Sequence, residues 1–459
     1  MIVVENLVGG KFVTTDETFD DISPLDNSII AKIPQTKSAD DAVFAAKHAF
    51  GEWSQLTIEQ RCDWLDKIAD TLESNIDEVA RLESLDTGKP FDVALNVDAS
   101  RSVNNFRFFA EYGRSLKSEK FEMSDATNYV MRKPIGIVGL ISPWNLPLYL
   151  LSWKIAPALL MGNVVIAKPS EITPLTAHFL GRLCTEIGLP GGVLNILNGY
   201  GPEIGQAIVE HPEIKAISFT GGTSTGKIVA ATAAPMFKKL SLELGGKNAS
   251  LVLDDADLDV AVPGVLRASF LNSGQICLCG SRVLVHSSIY DEFMSRYLEA
   301  LKDFEIGPVI NMQHREKVLS YIELAKQEGG EILAGGNVPS KEGAWIEPTV
   351  IAGLSHESRT ATEEIFGPVV TIHKFETDEE AIEIANCTQY GLAGSVWSKE
   401  RGRTVAEKIE SGMVWVNTWL HRDLRVPFGG VKDSGVGREG GMWSIGFFSE
   451  AVNICVMED

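Results

Sequence analysis

Between Gly136 and Leu244 short β-branched runs alternate with helical patterns, and this alternation limits the possible fold more than any other feature of the chain. Gly136 to Ser142 reads as a strand, Leu148 to Leu160 as a helix and Asn163 to Ala167 as a strand. A helix over Leu175 to Ile187, a strand over Gly192 to Leu197 and a helix over Pro202 to Val209 follow. A strand over Ala216 to Phe219, a helix over Ser224 to Ala233 and a strand over Leu240 to Leu244 close the series. Strands that recur about every 25 residues with helices between them imply right-handed crossovers in a parallel sheet, the doubly wound nucleotide-binding architecture of an α/β protein. Ligands on such sheets lie beyond the C-terminal ends of the strands. Asn145, Lys168 and Thr220 each follow a predicted strand, so the pattern sends all three to one crevice.

A second α/β unit begins near Glu243. Asp257 is a plausible cap for a helix through Ser269, a turn over Gly274 to Cys277 follows, and Arg282 to Val285 starts a new strand. Helices at about Asp291 to Leu301 and Arg315 to Gln327, and strands at Ser395 to Trp397 and Val414 to Val416, are expected downstream. The first 110 residues read as mostly helical after Asp40. Lys117 to Arg132 and the tail after Asp433 fit neither unit and suggest an arm that packs on another subunit. A chain of 459 residues is too long for one ordinary core, and about two to three domains are expected.

The formal charge of −21 opposes binding to phosphate backbones and anionic membrane surfaces, which leaves nucleic acid and membranes as improbable partners. Six cysteines are scattered without paired spacing and no charged-then-apolar leader precedes them, pointing to a reducing, cytoplasmic setting. From Pro134 to Ala167 the one charged side chain is Lys154. Pro143, Asn145, Pro147 and Pro157 nevertheless break this run into pieces shorter than the roughly 20 residues of a spanning helix, so it reads as buried strand and helix. The eight histidines have no metal-ligand spacing, and no metal is expected.

Two glycine-flanked segments carry the chemistry. Cys277 lies in Gly274-Gln275-Ile276-Cys277-Leu278-Cys279-Gly280 and Glu243 in Leu242-Glu243-Leu244-Gly245-Gly246. A thiol and a carboxylate so placed suit covalent chemistry on a carbonyl: a thiolate attacks, and a base then aims water at the acyl-enzyme. Cys279 competes with Cys277 for that role, and either could be an inert buried cysteine. Gly221-Gly222-Thr223-Ser224-Thr225-Gly226-Lys227 has the outline of a phosphate loop, but Ile228 stands where the magnesium-binding hydroxyl belongs. What survives is a glycine-rich turn opening a helix, able to receive a pyrophosphate or simply to connect strand and helix. Lys168 and Glu171 could bind ribose hydroxyls or be ordinary charges at a strand end. Asn145, held between Pro143 and Pro147, could donate to an oxyanion or merely form a turn.

Together these segments resemble the aldehyde dehydrogenase superfamily over nearly the whole chain. The motifs are Pro143-Trp144-Asn145, Lys168-Pro169-Ser170-Glu171, Phe219-Thr220-Gly221, Glu243-Leu244-Gly245-Gly246-Lys247, Gly274-Gln275-Ile276-Cys277, Glu363-Glu364-Ile365-Phe366-Gly367-Pro368 and Pro427-Phe428-Gly429-Gly430. The resemblance implies Cys277 as nucleophile, Glu243 as base and Asn145 as oxyanion donor. It implies NAD as cofactor, with Lys168 and Glu171 at the adenosine ribose and Glu364 and Phe366 at the nicotinamide ribose and ring. Ile141, Trp144, Ser170, Gly201, Gly205, Thr220, Gly221, Gly222 and Leu244 are the other cofactor-binding positions it implies. The implied architecture is a doubly wound parallel-sheet NAD-binding domain (residues 1–116 and 134–242), an α/β catalytic domain (243–432) and a small β oligomerisation arm (117–133 and 433–459). A homodimer or homotetramer is expected. Two departures stand out: Gly222 replaces the serine of many relatives, and the connection from Leu301 to Val309 is short and lacks the usual Gly-Asp-Pro run.

Within the superfamily, Arg101-Ser102-Val103, Asn105-Phe106-Arg107-Phe108-Phe109, Ile276-Cys277-Leu278-Cys279 and Trp419-Leu420-His421-Arg422-Asp423-Leu424 are similar to the 2-aminomuconic and 2-hydroxymuconic semialdehyde dehydrogenases. That likeness implies an aldehyde substrate bearing a remote carboxylate, gripped by Arg101 and Arg422 and packed on Phe428. The alternative for the arginines is an ordinary salt bridge each. NAD is expected over NADP because Glu171 would repel a 2′-phosphate. The competing expectations are a CoA-acylating semialdehyde dehydrogenase and a catalytically silent binding or structural relative.

Overall fold

The strands expected between Gly136 and Leu244 are Ile137–Ile141, Val164–Lys168, Leu194–Ile196, Ile214–Thr220 and Lys239–Glu243, seen in a computed structural model that describes residues 1–457. They pair in parallel, with Ile137–Ile141 in the middle, the next two strands on one side and the last two on the other. Strand order therefore reverses between Ile137–Ile141 and Ile214–Thr220, which opens the crevice where doubly wound sheets bind ligands. Two N-terminal strands, Asn6–Val8 and Lys11–Val13, extend one edge of this eight-stranded sheet, and Gly435–Val436 closes the other.

Helix Pro147–Leu160 follows the central strand and is buried along its whole length. Its single charge, Lys154, donates to Glu439 at 2.8 Å and to Ser218 at 2.9 Å. The run that looked membrane-like is thus interior helix, and among the described residues no helix is long and apolar enough to cross a membrane. Helices Asp40–Trp53, Ile58–Ser74, Ile76–Thr87 and Ser100–Ser115 supply the helical N-terminal region. Ile58–Ser74 begins in a reciprocal cap: Thr57 accepts from the Gln60 N–H at 3.2 Å, and the Gln60 side chain accepts from the Thr57 N–H at 2.8 Å.

The second sheet has seven strands in the order Glu331–Ala334, Thr349–Ala352, Val369–Phe375, Arg282–His286, Ala249–Val252, Ala393–Trp397 and Met413–Val416. All pairs but the first are parallel. Sequence reading anticipates Arg282–His286, Ala393–Trp397 and Met413–Val416 but misses Ala249–Val252, Glu331–Ala334, Thr349–Ala352 and Val369–Phe375. Ala249–Val252 is only four residues long, and a run that short cannot be told from buried helix by periodicity. A third sheet joins Ser449–Met457, Ala126–Pro134 and Glu119–Glu122 in antiparallel order. It leaves Phe121, Tyr129, Met131, Ile454 and Val456 exposed. The tail segment 433–459 is divided: Gly435–Val436 belongs to the first sheet and Ser449–Met457 to the third, while the last two positions lie outside the described residues.

Arg282 ties the second sheet to the turn that precedes it. Its guanidinium is fully buried and donates to the carbonyls of Lys247 at 2.9 Å, Ile384 at 2.6 Å and Ala385 at 2.7 Å. Arg282→Leu would strand three buried acceptors, so urea unfolding should show a loss of about 3 kcal/mol. A change below about 1 kcal/mol would mean that water or a shift of the backbone replaces those bonds.

Candidate active site

Proline at positions 143 and 147 brackets the turn that leaves the central strand, and Asn145 is fixed inside it, almost completely buried. Its side-chain amide donates to the Gln275 carbonyl at 2.9 Å. The opposite partner is the loop carrying Cys277. Helix Leu258–Phe270 ends there in three left-handed residues, Asn272, Ser273 and Gly274 (φ 54°, 57° and 71°). A Cβ at Gly274 would lie 2.2 Å from the Gly367 carbonyl oxygen, so the tight approach requires glycine.

Side chains hold the next carbonyls of this loop. Asn248 donates to Cys277 O at 2.7 Å and Cys279 O at 2.9 Å while accepting from the Ala393 N–H at 2.9 Å. The Trp419 indole donates to Leu278 O at 3.0 Å. The Cys277 N–H, by contrast, has no acceptor among the described residues. The short connection after Leu301 packs on the same loop: Ser273 donates to Gly307 O at 2.8 Å, and Gln275 accepts from the Ile310 N–H at 2.9 Å. Its brevity thus leaves the loop supported.

Cys277 and Asn145 line a cavity of about 240 Å³ together with Trp144, Thr220, Gly221, Gly222, Leu244, Glu364 and Phe366. Each of these was expected at the cofactor or the reacting carbonyl. Gly222 heads helix Thr223–Ala233, and a Cβ there would meet nothing within 4 Å, so the surface is open where relatives carry a hydroxyl. Lys227, the lysine of the phosphate-loop outline, turns outward to Asp433 at 2.9 Å. Phe366 adopts a left-handed backbone (φ 61°) and meets the Trp144 ring edge-on at 5.2 Å.

Lys168, Ser170, Glu171, Gly201 and Gly205 stand apart from this cavity, near the C-terminal end of strand Val164–Lys168. Lys168 and Glu171 pair at 2.9 Å, the Gly201 N–H approaches Glu171 at 3.5 Å, and a Cβ on Gly205 would sit 3.6 Å from the Lys168 stem. Burial opposes charge on both, lowering Lys168; at Glu171 it is the largest single influence, but the charge and hydrogen bond of Lys168 together with backbone N–H donors overcome it and hold that carboxyl below its usual range. Ile141 is the strand partner of Lys168 and lies between the two groups.

Glu243 is placed differently. Its carboxylate is buried, has no hydrogen-bond partner, and points to Gly429, where an added Cβ would be 2.6 Å from Oε1. It does not line the cavity that Cys277 lines. Burial and then the neighbouring Glu439 push it well above the ordinary carboxylate range, against the pull of Lys154, Arg438 and Arg422. Burial likewise raises the Cys277 thiol, with the charges of Glu364 and Glu243 adding to it.

Arg101 and Arg422 converge on Tyr149. The Arg422 guanidinium donates to the Tyr149 hydroxyl and lies over the rings of Trp153 at 4.7 Å and Phe428 at 4.2 Å. Arg101 sits over the Tyr149 ring at 5.8 Å. Neither has a carboxylate within ion-pair distance among the described residues, so the salt-bridge alternative for them falls. Sequence reading missed Tyr149, and it missed His314 and Lys317, which also line the main cavity. His314 donates to Phe366 O at 2.6 Å and is pulled down to about 4 by burial, hence neutral at pH 7. Only spacing to the aromatic motif could have flagged it, since a lone helix histidine carries no signal.

Cys277 opens on the cavity, whereas Cys279 is buried with its sulfur toward Leu271 O at 3.9 Å. Iodoacetamide followed by peptide mass mapping should therefore label Cys277 and spare Cys279. Preferential labelling of Cys279 would reverse the assignment.

Comparison with known proteins agrees with this geometry. Residues 12–454 match the Aldehyde dehydrogenase family. The chain is 46% identical to a 2-aminomuconic 6-semialdehyde dehydrogenase from Pseudomonas sp, covering 99% of this chain and 98% of that one. It is 43% identical to a 2-hydroxymuconic semialdehyde dehydrogenase from Pseudomonas sp. (strain CF600), covering 99% of both. Among solved structures, betaine aldehyde dehydrogenase from Staphylococcus aureus in complex with NAD+ superposes with a TM-score of 0.95 at 39% identity, over 98% of this chain and 94% of that one. The chain belongs to the aldehyde dehydrogenase family and is an NAD(P)-dependent aldehyde dehydrogenase.

Proposed function

We propose that the protein oxidises a semialdehyde whose far end bears a carboxylate, of the muconic semialdehyde class, with Cys277 as nucleophile, Asn145 as oxyanion donor and Glu243 as base. The observation that carries this reading is one cavity shared by Cys277, Asn145, Glu364 and Phe366, with two guanidiniums free of carboxylate partners set around Tyr149 on the helix that follows Asn145. The names of the relatives, 2-aminomuconic and 2-hydroxymuconic semialdehyde dehydrogenases, support the substrate class.

The residues present suit NAD. Trp144, Thr220, Gly221, Gly222, Leu244, Glu364 and Phe366 would hold its nicotinamide half, and Lys168, Ser170, Glu171, Gly201 and Gly205 its adenosine half. When bound, NAD accepts the hydride. The chain does the rest. Cys277 attacks the carbonyl, and the oxyanion that forms is met by the second N–H of the Asn145 amide and the unpaired Cys277 N–H. Loss of hydride leaves a thioester on Cys277. Glu243 then takes a proton from the attacking water, for which its side chain must rotate out of the alcove beside Gly429. Arg101 and Arg422 take the remote carboxylate, with Phe428 and Trp153 forming an apolar, cation-favouring wall.

The exposed apolar strands of the third sheet support assembly with a second copy of the chain, a homodimer or homotetramer. Free thiols throughout, the nucleophile included, support a reducing compartment such as the cytoplasm.

Rapid-mixing measurements separate the half-reactions. Glu243→Gln should release about one NADH per site in a burst and then turn over at least about a hundredfold more slowly, while Cys277→Ala should give no burst. Because burial raises the base, kcat of the native enzyme should rise with pH through a range above that of an ordinary carboxylate, and a flat profile would remove Glu243 from the rate-limiting step. A panel of aldehydes tests the carboxylate: Arg101→Ala and Arg422→Ala should raise KM about tenfold or more for carboxylated members and little for neutral ones. Equal losses across the panel would refute the anchoring role.

A further inference from the structure

We propose that Lys89 is a positioning residue for the oxyanion donor, its ammonium fixing the backbone carbonyl of Asn145 so that the side-chain amide stays aimed at the carbonyl under attack. The inference rests on the reading of Asn145 given above.

Lys89 follows the left-handed Gly88 (φ 73°) that ends helix Ile76–Thr87, and it is 3% exposed. An ammonium has three N–H donors, and here each finds an acceptor: Asp98 Oδ1 and Oδ2, both at 2.9 Å, and Asn145 O at 3.0 Å. Asp98 lies in Ala94–Ala99, a π-helical segment inserted between two α-helical ones. Such wide turns are uncommon and tend to mark functional sites. The buried carboxylate thus anchors the lysine, and the lysine reaches across to the turn between Pro143 and Pro147.

A lysine on the surface of this acidic chain could form an ion pair without giving up its hydration. Burying it is unfavourable unless geometry demands it. The demand here is at Asn145. Its carbonyl also accepts from the Asn272 side chain at 3.1 Å, and its own amide donates to Gln275 O, so both other tethers come from the nucleophile loop. Lys89 is the tether that comes from outside the nucleophile loop. Without it, Asn145 would follow movements of the loop instead of holding a fixed place against Cys277. Glu83, fully buried beside Asp98, is raised to about 8 by burial and by the Asp98 charge, so at pH 7 it keeps its proton and does not compete for the ammonium.

The test must avoid leaving a lone buried charge. The pair Lys89→Met with Asp98→Asn removes both ions together. Stopped-flow measurement of the NADH burst should show its rate constant falling about tenfold or more, with NAD affinity and the KM for aldehyde within about twofold. In an Asn145→Ala background the same pair should change the burst less than about twofold, because the positioned group is gone. The pair Lys89→Gln with Asp98→Asn keeps a donor for the carbonyl and should recover the burst to within about threefold of the native rate. Equal losses in both backgrounds, an unchanged burst, or failure of both paired variants to fold would overturn the proposal and assign Lys89 to stability. Absence of a burst in the native enzyme would instead sink the proposed function and leave the role of Lys89 unsupported.

Discussion

The hydrogen bond from the Asn145 amide to the Gln275 carbonyl joins the two halves of the active site. One partner hangs from the central strand of the eight-stranded sheet, and the other begins the loop that carries the nucleophile. Neither segment is regular structure, and each would be mobile by itself. Bound to each other, and with the carbonyls of Cys277, Leu278 and Cys279 held by Asn248 and Trp419, they become a fixed surface. That pattern spends the loop's acceptors on the protein and leaves the Cys277 N–H unpaired, as a site that must stabilise a developing negative charge requires.

Charge inside the molecule follows a different logic from charge on its surface. The exterior is strongly acidic, yet several cations are taken into the interior: Lys89 on Asp98, Lys154 on Glu439 and Arg282 on three carbonyls. Lys154 and Arg282 cross between segments far apart in sequence, and Lys89, nine residues from Asp98, does so through its bond to Asn145. A buried ion pair gives little net stability because desolvation offsets the Coulombic gain. Its geometric specificity is the better account of why these pairs sit beside Asn145 and Glu243. Glu243 differs from these ions in being a buried carboxylate without a hydrogen bond. Such a group is costly to leave in place, and an unsatisfied base in a glycine-walled alcove is one built to move.

Much of the site was legible before any coordinates. The glycines of Gly245-Gly246 and Gly274 mark close backbone approaches, and the structure puts Glu364 and Gly367 against them. Prolines 143 and 147 foretold a rigid turn. Lys168 with Glu171 and Arg101 with Arg422 were named as pairs from motif likeness, and they do come together around Gly201 and Tyr149 respectively. The alternation of strands and helices was legible over Gly136 to Leu244 because each strand there but the last is followed by helix. It failed at Ala249–Val252 and Val369–Phe375, each of which is entered from a motif turn, Gly245-Gly246 or Gly367-Pro368, and not from a helix.

The sequence alone determined the doubly wound sheet, the candidate nucleophile, base and amide, and the family that unites them. These are local matters: hydrophobic period, turn chemistry and residue type are read from neighbours along the chain. Only the tertiary structure decided that Glu243 rests away from Cys277, that Tyr149 stands between the two arginines, and that Lys89 reaches Asn145. Those facts depend on which segments meet across a folded interior and on the rotamer each side chain takes there. Residues 56 positions apart in the case of Lys89 and Asn145 leave no local pattern that could announce their contact.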